Sequence, residues 1–352
     1  MPPDLIRGAL PLVGVEGAKP PAFLTRWARI LARWYSTTPM GGWPRFLLRR
    51  LGNLVAILVA LVVVSFLMVH LIPGDPVRRI VGLDATAEYI AATRHSLGLD
   101  RPLVEQFAVY VGDLAHGELG TSFVTRQPVA QIVRDRLPFT LALAGASLAF
   151  VAVVGFVLGL WCAIAARDGK RAWLEHGFTA VTGMAGAAPE LIAAILLAYV
   201  FAVTLRWLPV SGATGVASVI LPALAIGIRP ALNLARVVRV EASNVLKTDY
   251  IRTARSKRLP PWLIYTRHMA PNVATAALTI AGLLFPFLIG GTVVVENVFA
   301  WPGLGSSVVH AVITADYPVI QGLILLLGLI VVLTNMIVDL LLALLDPRTL
   351  VT

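Results

Sequence analysis

Charge is scarce in this chain, and acid is scarcer than base. Only 14% of its 352 residues are Asp, Glu, Lys or Arg, and 58% are hydrophobic. Soluble globular domains carry about 25% charged and about 45–50% apolar residues. That composition excludes an ordinary water-soluble enzyme and points to helices that face lipid. There is one cysteine, Cys162, inside an apolar run, so no disulfide framework exists. The histidines, at 70, 95, 116, 176, 268 and 310, show no close pairing of the kind that holds a metal. A phosphate-binding loop is missing too: Gly169-Lys170 is followed by Arg171 and has no upstream glycine at the required spacing. No Gly-x-Ser-x-Gly elbow is present. Ser306, Ser307 and His310 therefore read as a small-residue turn entering a short helix, because nothing orients a catalytic base. No catalytic residue, metal site or cofactor is expected. The first long apolar run starts beyond residue 50 without a small-residue cleavage site, so no cleavable signal is expected. No internal repeat is seen.

What is present is a series of apolar runs. A helix needs about 20 mostly apolar residues to cross the hydrocarbon. Six runs qualify: Leu51–Ile72, Thr140–Ala166, Phe178–Leu205, Val219–Ala235, Ala274–Val295 and Pro318–Leu345. The fourth is interrupted by Pro222, Arg229 and Pro230, which suits either a helix inside the bundle near a pathway or a kinked packing helix. Pro189-Glu190 marks a kink with a polar contact in the third. Asn335 and Asp339, four apart on the last, read as packing contacts.

The net charge of +10 raises the question of nucleic acid. The positions of the cations answer it. They cluster in short loops beside the apolar runs: Arg45, Arg49 and Arg50 before the first, Arg167, Lys170 and Arg171 after the second, and eight between Arg236 and Arg267 after the fourth. Short cytoplasmic loops hold the positive excess. Both termini are thus expected inside the cell, in a multi-pass cytoplasmic (inner) membrane protein with no nucleic-acid partner. Residues 73–138 then form an extracytoplasmic lobe with helical patterning at Ala85–Leu97 and Leu103–Leu114. Pro73-Gly74-Asp75-Pro76 is a turn at the membrane exit.

Residues 1–44 form a cytoplasmic extension. Trp27, Ile30, Leu31 and Trp34 share one helical face in Phe23–Tyr35, as in an interfacial helix. The competing reading makes Met40 the true start.

The informative segment lies after the fourth run. Residues 241–268 are polar and basic, and read as two short helices between lipid-embedded segments. Leu246, Tyr250, Ile251 and Ala254 make a narrow apolar stripe at helical spacing. Thr248 and Asp249 are cap candidates, and Pro260-Pro261 end one helix and start another. A basic helix–turn–helix with a small apolar stripe suits a groove on a soluble partner.

Asp249-Tyr-Ile-Arg-Thr-Ala-Arg-Ser-Lys257, with Arg267-His268 and Asn272, resembles the coupling-helix motif of ABC-importer permeases, in the dipeptide, oligopeptide and nickel branch. The resemblance runs collinearly from Pro44 to Arg348. It includes Arg49-Arg50, Pro73-Gly-Asp-Pro76, Leu97-Gly-Leu-Asp-Arg-Pro-Leu103 and Gly117-Glu-Leu-Gly-Thr-Ser122. It continues through Val295-Glu-Asn-Val-Phe299, Pro302-Gly-Leu-Gly305, Thr334-Asn335, Asp339 and Leu345-Asp-Pro-Arg348.

The resemblance implies an all-α membrane protein with six transmembrane helices. Residues 45–72 would be the first, 73–138 a periplasmic lobe, 139–345 the core and 346–352 a cytoplasmic tail. Its implied partners are a second homologous permease, two separate ATPases that hydrolyse the ATP, and an external substrate-binding protein. Asp249, Tyr250, Ile251, Arg252, Thr253, Ala254, Arg255, Lys257, Arg258 and Leu259 are the implied ATPase-coupling residues. The implied substrate is a dipeptide or oligopeptide; the alternatives are an importer of nickel or another small solute, and a secondary transporter. Arg258 departs from the family's glycine, and two readings stay open: Leu259-Pro260-Pro261 makes the turn instead, or coupling is weaker or adapted to an unusual ATPase partner. Glu296 and Asn297, at the outer end of the fifth run, are candidates either for the pathway or gate or for capping the adjoining turn.

Overall fold

Long apolar runs without free backbone partners must satisfy their own hydrogen bonds in lipid, and the helix does this within one segment. A computed structural model describes residues 42–71, 77, 85–96, 98–167 and 172–345, and among them there are helices and no named strand. In chain order these are α1 (Gly42–Leu71), α2 (Ala87–Ser96), α3 (Leu103–Ala115), α4 (Val129–Ala166), α5 (Ala172–Ala187) and α6 (Glu190–Leu197). They continue with α7 (Val216–Leu246), α8 (Asp249–Ser256), α9 (Pro261–Leu263), α10 (Ala270–Val298), α11 (Leu304–Thr314) and α12 (Tyr317–Leu345). π-Helical stretches follow α6, at Ala198–Thr204, and α9, at Ile264–Met269. The expectations for residues 1–41, for the Pro73–Pro76 turn and for the tail after Leu345 lie outside the described residues.

The chain divides into two units, Met1–Arg50 with Leu341–Thr352, and Leu51–Leu340. In the first, the described residues are the opening turns of α1 and the closing turn of α12. Every contact that follows is within the second.

Among the described residues, five helical segments are long and apolar enough to cross a membrane: Leu47–Met68, Val129–Ala166, Val216–Leu246, Pro261–Val298 and Tyr317–Leu341. A sixth is broken. Trp173–Ala187 and Glu190–Thr204 meet at 96°, where one continuous span at Phe178–Leu205 was expected. Pro189 explains the break, since it has no N–H and drives Ala188 away from helical torsions. Its carbonyl then starts α6, accepting from the N–H groups of Ile192 and Ala193 at 3.1 Å each.

Boundaries differ elsewhere as well. The 38-residue α4 is about 57 Å long at 1.5 Å per residue, against about 30 Å of hydrocarbon, so it projects beyond the bilayer. α7 carries both Pro222 and Pro230 without ending and runs on to Leu246. The first part of the polar segment is therefore the end of a span. The second expected short helix is the beginning of the next span, which starts at Pro261.

The core forms where α4 and α7 meet. Gly155 and Gly159 lie on one face of α4 and admit α7 to close range. A Cβ at Gly159 would meet the Ala235 carbonyl oxygen and Val238 at 2.6 Å; one at Gly155 would meet Leu234 at 2.9 Å. Gly227 on α7 returns the arrangement by admitting the Phe150 ring, which a Cβ would meet at 2.6 Å. Without a hydrophobic drive in lipid, helices associate through such small-residue packing. Gly159→Leu is expected to separate α4 from α7 and cost at least about 1–3 kcal/mol, because a backbone carbonyl stands in the way. Thermal unfolding and size-exclusion profiles in detergent would check this; a wild-type melting curve for the variant would disprove the close-packing role.

Outside the bundle, α3 docks on α1. Phe66 packs edge-on against Phe107, with ring centroids 5.2 Å apart, and Ser65 and Tyr110 share a hydrogen bond of 2.8 Å. Burial raises the Tyr110 hydroxyl's pKa above its ordinary value. After α2, the His95 ring hydrogen-bonds Asp100 at 2.6 Å and holds that carboxylate below its usual range.

Candidate functional site: a basic lever between two spans

An eight-residue helix is too short to persist alone. α8 is held by what it buries. Ile251 is fully buried and Ala254 nearly so, and both join the same core as Leu246, Ile264 and Met269. Its start is a sharp corner. Thr248 is extended, with φ −71° and ψ 154°, and its hydroxyl donates back to the Val245 carbonyl at 2.6 Å. Thr248 is thus at the N-cap position without capping, and Asp249 is the first helical residue. Tyr250 Oη accepts from Asn272 Nδ2 at 2.9 Å, and the same amide donates to the His268 carbonyl at 2.7 Å. Asn272 thereby ties α8 to the foot of α10.

The far end is a left-handed cap. The Arg258 N–H reaches the Arg255 carbonyl at 2.9 Å, and the Leu259 N–H reaches Ala254 at 3.3 Å. This is the pair of bonds that defines a Schellman ending. Arg258 takes φ +54° to make it. The turn is therefore made at Arg258 itself, not displaced to Leu259–Pro261 as in the first reading. A Cβ in this conformation costs about 1 kcal/mol, which glycine would avoid. Leu259 packs against the core and offsets that strain.

The geometry corrects the role of the apolar stripe. Leu246, Ile251 and Ala254 face this chain's own core, leaving Tyr250, 44% exposed, as the stripe's one outward member. The physical reason is that the bundle's end needs a lid, and the stripe is the only apolar side the short helix has. Asp249, Tyr250, Arg252, Thr253, Arg255, Lys257 and Arg258 are exposed, whereas Leu259 is half-buried. The Arg252–Asp249 ion pair, at 3.3 Å with both side chains in solvent, contributes little. What remains is a cationic face on a helix locked from behind.

Glu296 and Asn297 part company. Glu296 is fully buried at the end of α10. One of its oxygens accepts from Thr140 Oγ1 at 2.7 Å and the other from the Ser306 N–H at 3.0 Å. The Leu304 N–H donates to the same Thr140 oxygen at 2.8 Å. A Cβ at Gly303 would collide with this carboxylate, so the glycine is needed for the approach. Glu296 caps α11, where the free N–H groups favour negative charge, and it is sealed from any pathway within this chain. Asn297 is exposed and donates to the Val293 carbonyl at 2.8 Å.

One buried group escaped the sequence reading. Asp316 accepts from Ser122 Oγ at 2.5 Å and from the Phe123 N–H at 3.0 Å, pinning the loop before α4 to the turn before α12. The Gly117–Ser122 motif signalled that loop but not its anchor. Glu190, singled out in the sequence as a polar contact at the kink, has instead a buried oxygen without a hydrogen-bond partner among the described residues, close to Gly291. The hydroxyls of Ser306 and Ser307 donate to the Gly303 carbonyl at 3.0 and 2.9 Å rather than to His310, which removes the nucleophile–base reading.

The described residues thus form a bundle of membrane-length helices with a solvent-facing cationic corner. The chain matches the family model described as binding-protein-dependent transport system inner membrane component over residues 155–351. It also matches that family's N-terminal model over residues 44–144. It belongs to this family, and is a permease subunit of an ABC importer.

A glutathione transport system permease protein, GsiC, of Salmonella typhimurium is 41% identical over 304 residues, covering 86% of this chain and 97% of the relative. A putative peptide transport system permease protein of Brucella abortus is 37% identical over 310 residues, with 86% and 98% covered. Inward-facing structures of the MetNI methionine ABC transporter align at a TM-score of 0.52 and 19% identity, over 62% of this chain and 97% of that one. At that identity they support the fold alone.

Proposed function

We propose that this permease pairs with a second, homologous permease to form the pathway for dipeptides, oligopeptides or glutathione. Two separate ATPases supply the drive, and an external binding protein delivers the substrate. The observation that carries the reading is α8: an exposed cationic face on a helix whose inner face is fixed in the core. A lever must not slip against its load, and Ile251, Ala254 and the Asn272–Tyr250 bond are what prevent slipping. The chain's one Gly-Lys pair, at 169–170, lacks the rest of a phosphate loop, which supports hydrolysis in the partner subunits. The relatives named for glutathione and peptide transport support the substrate class.

In this arrangement both termini and α8 are cytoplasmic, as the clustering of arginines and lysines favours. Residues 73–138 are the extracytoplasmic lobe, 1–44 a cytoplasmic extension and 346–352 a cytoplasmic tail. ATPase closure pushes α8, and the bundle exchanges inward-open for outward-open states.

The test is uptake by the reconstituted complex of glutathione, a set of di- to pentapeptides and nickel. ATP-dependent accumulation of a peptide is expected, and none without the binding protein. Accumulation of nickel alone would reassign the substrate. Gradient-driven uptake without any ATPase would replace the mechanism with that of a secondary transporter.

A further inference from the structure

Behind the lever lies a second cationic feature, which shares Arg255 with it. A cavity of about 280 Å³ opens among the last turn of α4, the first turn of α5, the end of α7 and α8. Its floor is apolar, from Ala163, Ala166 and Leu246. Its polar lining is Arg167, Arg239, Lys247 and Arg255, with Glu175 and Ser243. Among the described residues, four cations thus face one carboxylate.

Arg239 is the most revealing of them. One arm of its guanidinium is paired with Glu175, and the side chain is only 17% exposed. Its Nε is buried with no hydrogen-bond partner among the described residues. A buried charged donor without an acceptor is costly, so the site as it stands lacks an acceptor. Arg167 lies over the Tyr265 ring, 5.7 Å from its centroid, and still lines the cavity.

We infer that this cavity binds a phosphate-bearing anion, with Arg239 as its central contact and Lys247, Arg167 and Arg255 around it. Phosphate oxygens accept several hydrogen bonds at once and match guanidinium geometry. The volume falls below the roughly 300–1,000 Å³ of ordinary small-molecule pockets, so it suits a headgroup rather than a peptide. The apolar floor, built from the ends of spans, puts it at the level of the membrane surface. Basic pockets there take anionic lipid headgroups. An anion so held neutralises the root of the lever and fixes the α4–α7–α8 junction. The level at the inner surface rests on the orientation proposed above.

The purified importer complex, stripped of lipid and returned to nanodiscs of phosphatidylglycerol or of phosphatidylcholine, provides the test. Native mass spectrometry should show phosphatidylglycerol retained where phosphatidylcholine is lost. Arg239→Gln with Lys247→Gln should lower that retention by roughly thirtyfold. Lys247→Gln alone, an exposed change that leaves the fold intact, should lower it by roughly fivefold. In parallel, inorganic phosphate is titrated into the lipid-free complex. Binding of phosphate but not of lipid, lost in the same variants, would uphold the site and assign it to a free anion.

Equal retention in wild type and both variants, with no phosphate binding, would overturn the proposal. So would a carbodiimide cross-link from Lys247 to an ATPase carboxylate that neither anion reduces, since the occupant would then be protein. Retention is read without ATP or substrate. Failure here therefore leaves the coupling role of α8 standing, and failed coupling leaves the anion site standing.

Discussion

Reversing two charges, Arg255→Glu with Lys257→Glu, is expected to abolish ATP-driven uptake while the permease still inserts and folds. Both side chains are exposed on α8. The helix is held by Ile251, Ala254 and the Asn272–Tyr250 bond, none of which the substitutions touch. Each exposed change should therefore move stability by no more than about 0.5 kcal/mol. At an interface the same changes act differently. A like-charge juxtaposition costs several kcal/mol, and every 1.4 kcal/mol is a factor of ten in affinity. ATPase association should weaken by at least about a hundredfold, and hydrolysis should no longer respond to loaded binding protein. Co-purification of the ATPases and uptake into reconstituted vesicles are the measurements. Wild-type uptake by the double variant would sink the contact. Because Arg255 also lines the anion cavity and Lys257 does not, Lys257→Glu alone separates the two roles. It should retain a large part of the coupling defect with normal lipid retention.

Glu296→Ala is expected to produce the largest loss of stability. The carboxylate serves two donors, the buried Thr140 Oγ1 and the half-buried Ser306 N–H, and it fills space kept clear by Gly303. Removing it strands both, at about 1–3 kcal/mol each, and leaves a cavity besides. A total of at least about 3 kcal/mol is expected, visible as a lowered melting temperature in detergent. Glu296→Gln keeps the shape and one acceptor oxygen, and should fall between wild type and alanine. If Glu296 acted as a gate instead, Glu296→Gln would stop transport without moving the melting temperature. That pattern would refute the capping role.

The sequence carried the spans because lipid demands long apolar runs, and five helical segments with a bent sixth lie where those runs are. It carried the polar insertion for the same reason, since Asp249–Arg258 contrasts so sharply with its flanks. It did not carry the break at Pro189, because a proline inside an apolar run reads alike whether the helix kinks or stops. Neighbouring helices decide that by satisfying, or failing to satisfy, the freed backbone groups. Ser122 and Asp316 are 194 residues apart, a distance at which no local spacing signals a bond. Gly155 and Gly159 were visible as letters, yet their use depended on which helix arrived opposite them.

By itself, the order of residues determined that this chain is an all-helical membrane protein with a basic corner between two spans, because hydropathy and charge act on each segment independently of the rest. Only the tertiary structure decided which side of that corner is offered. The stripe at Leu246, Ile251 and Ala254 is apolar enough for either a partner or the core. The core claimed it, burying Ile251 and Ala254 together with Leu246, Ile264 and Met269. The same packing left the cations outside, forced Arg258 into a left-handed turn and buried an unmatched Arg239 nitrogen behind the lever.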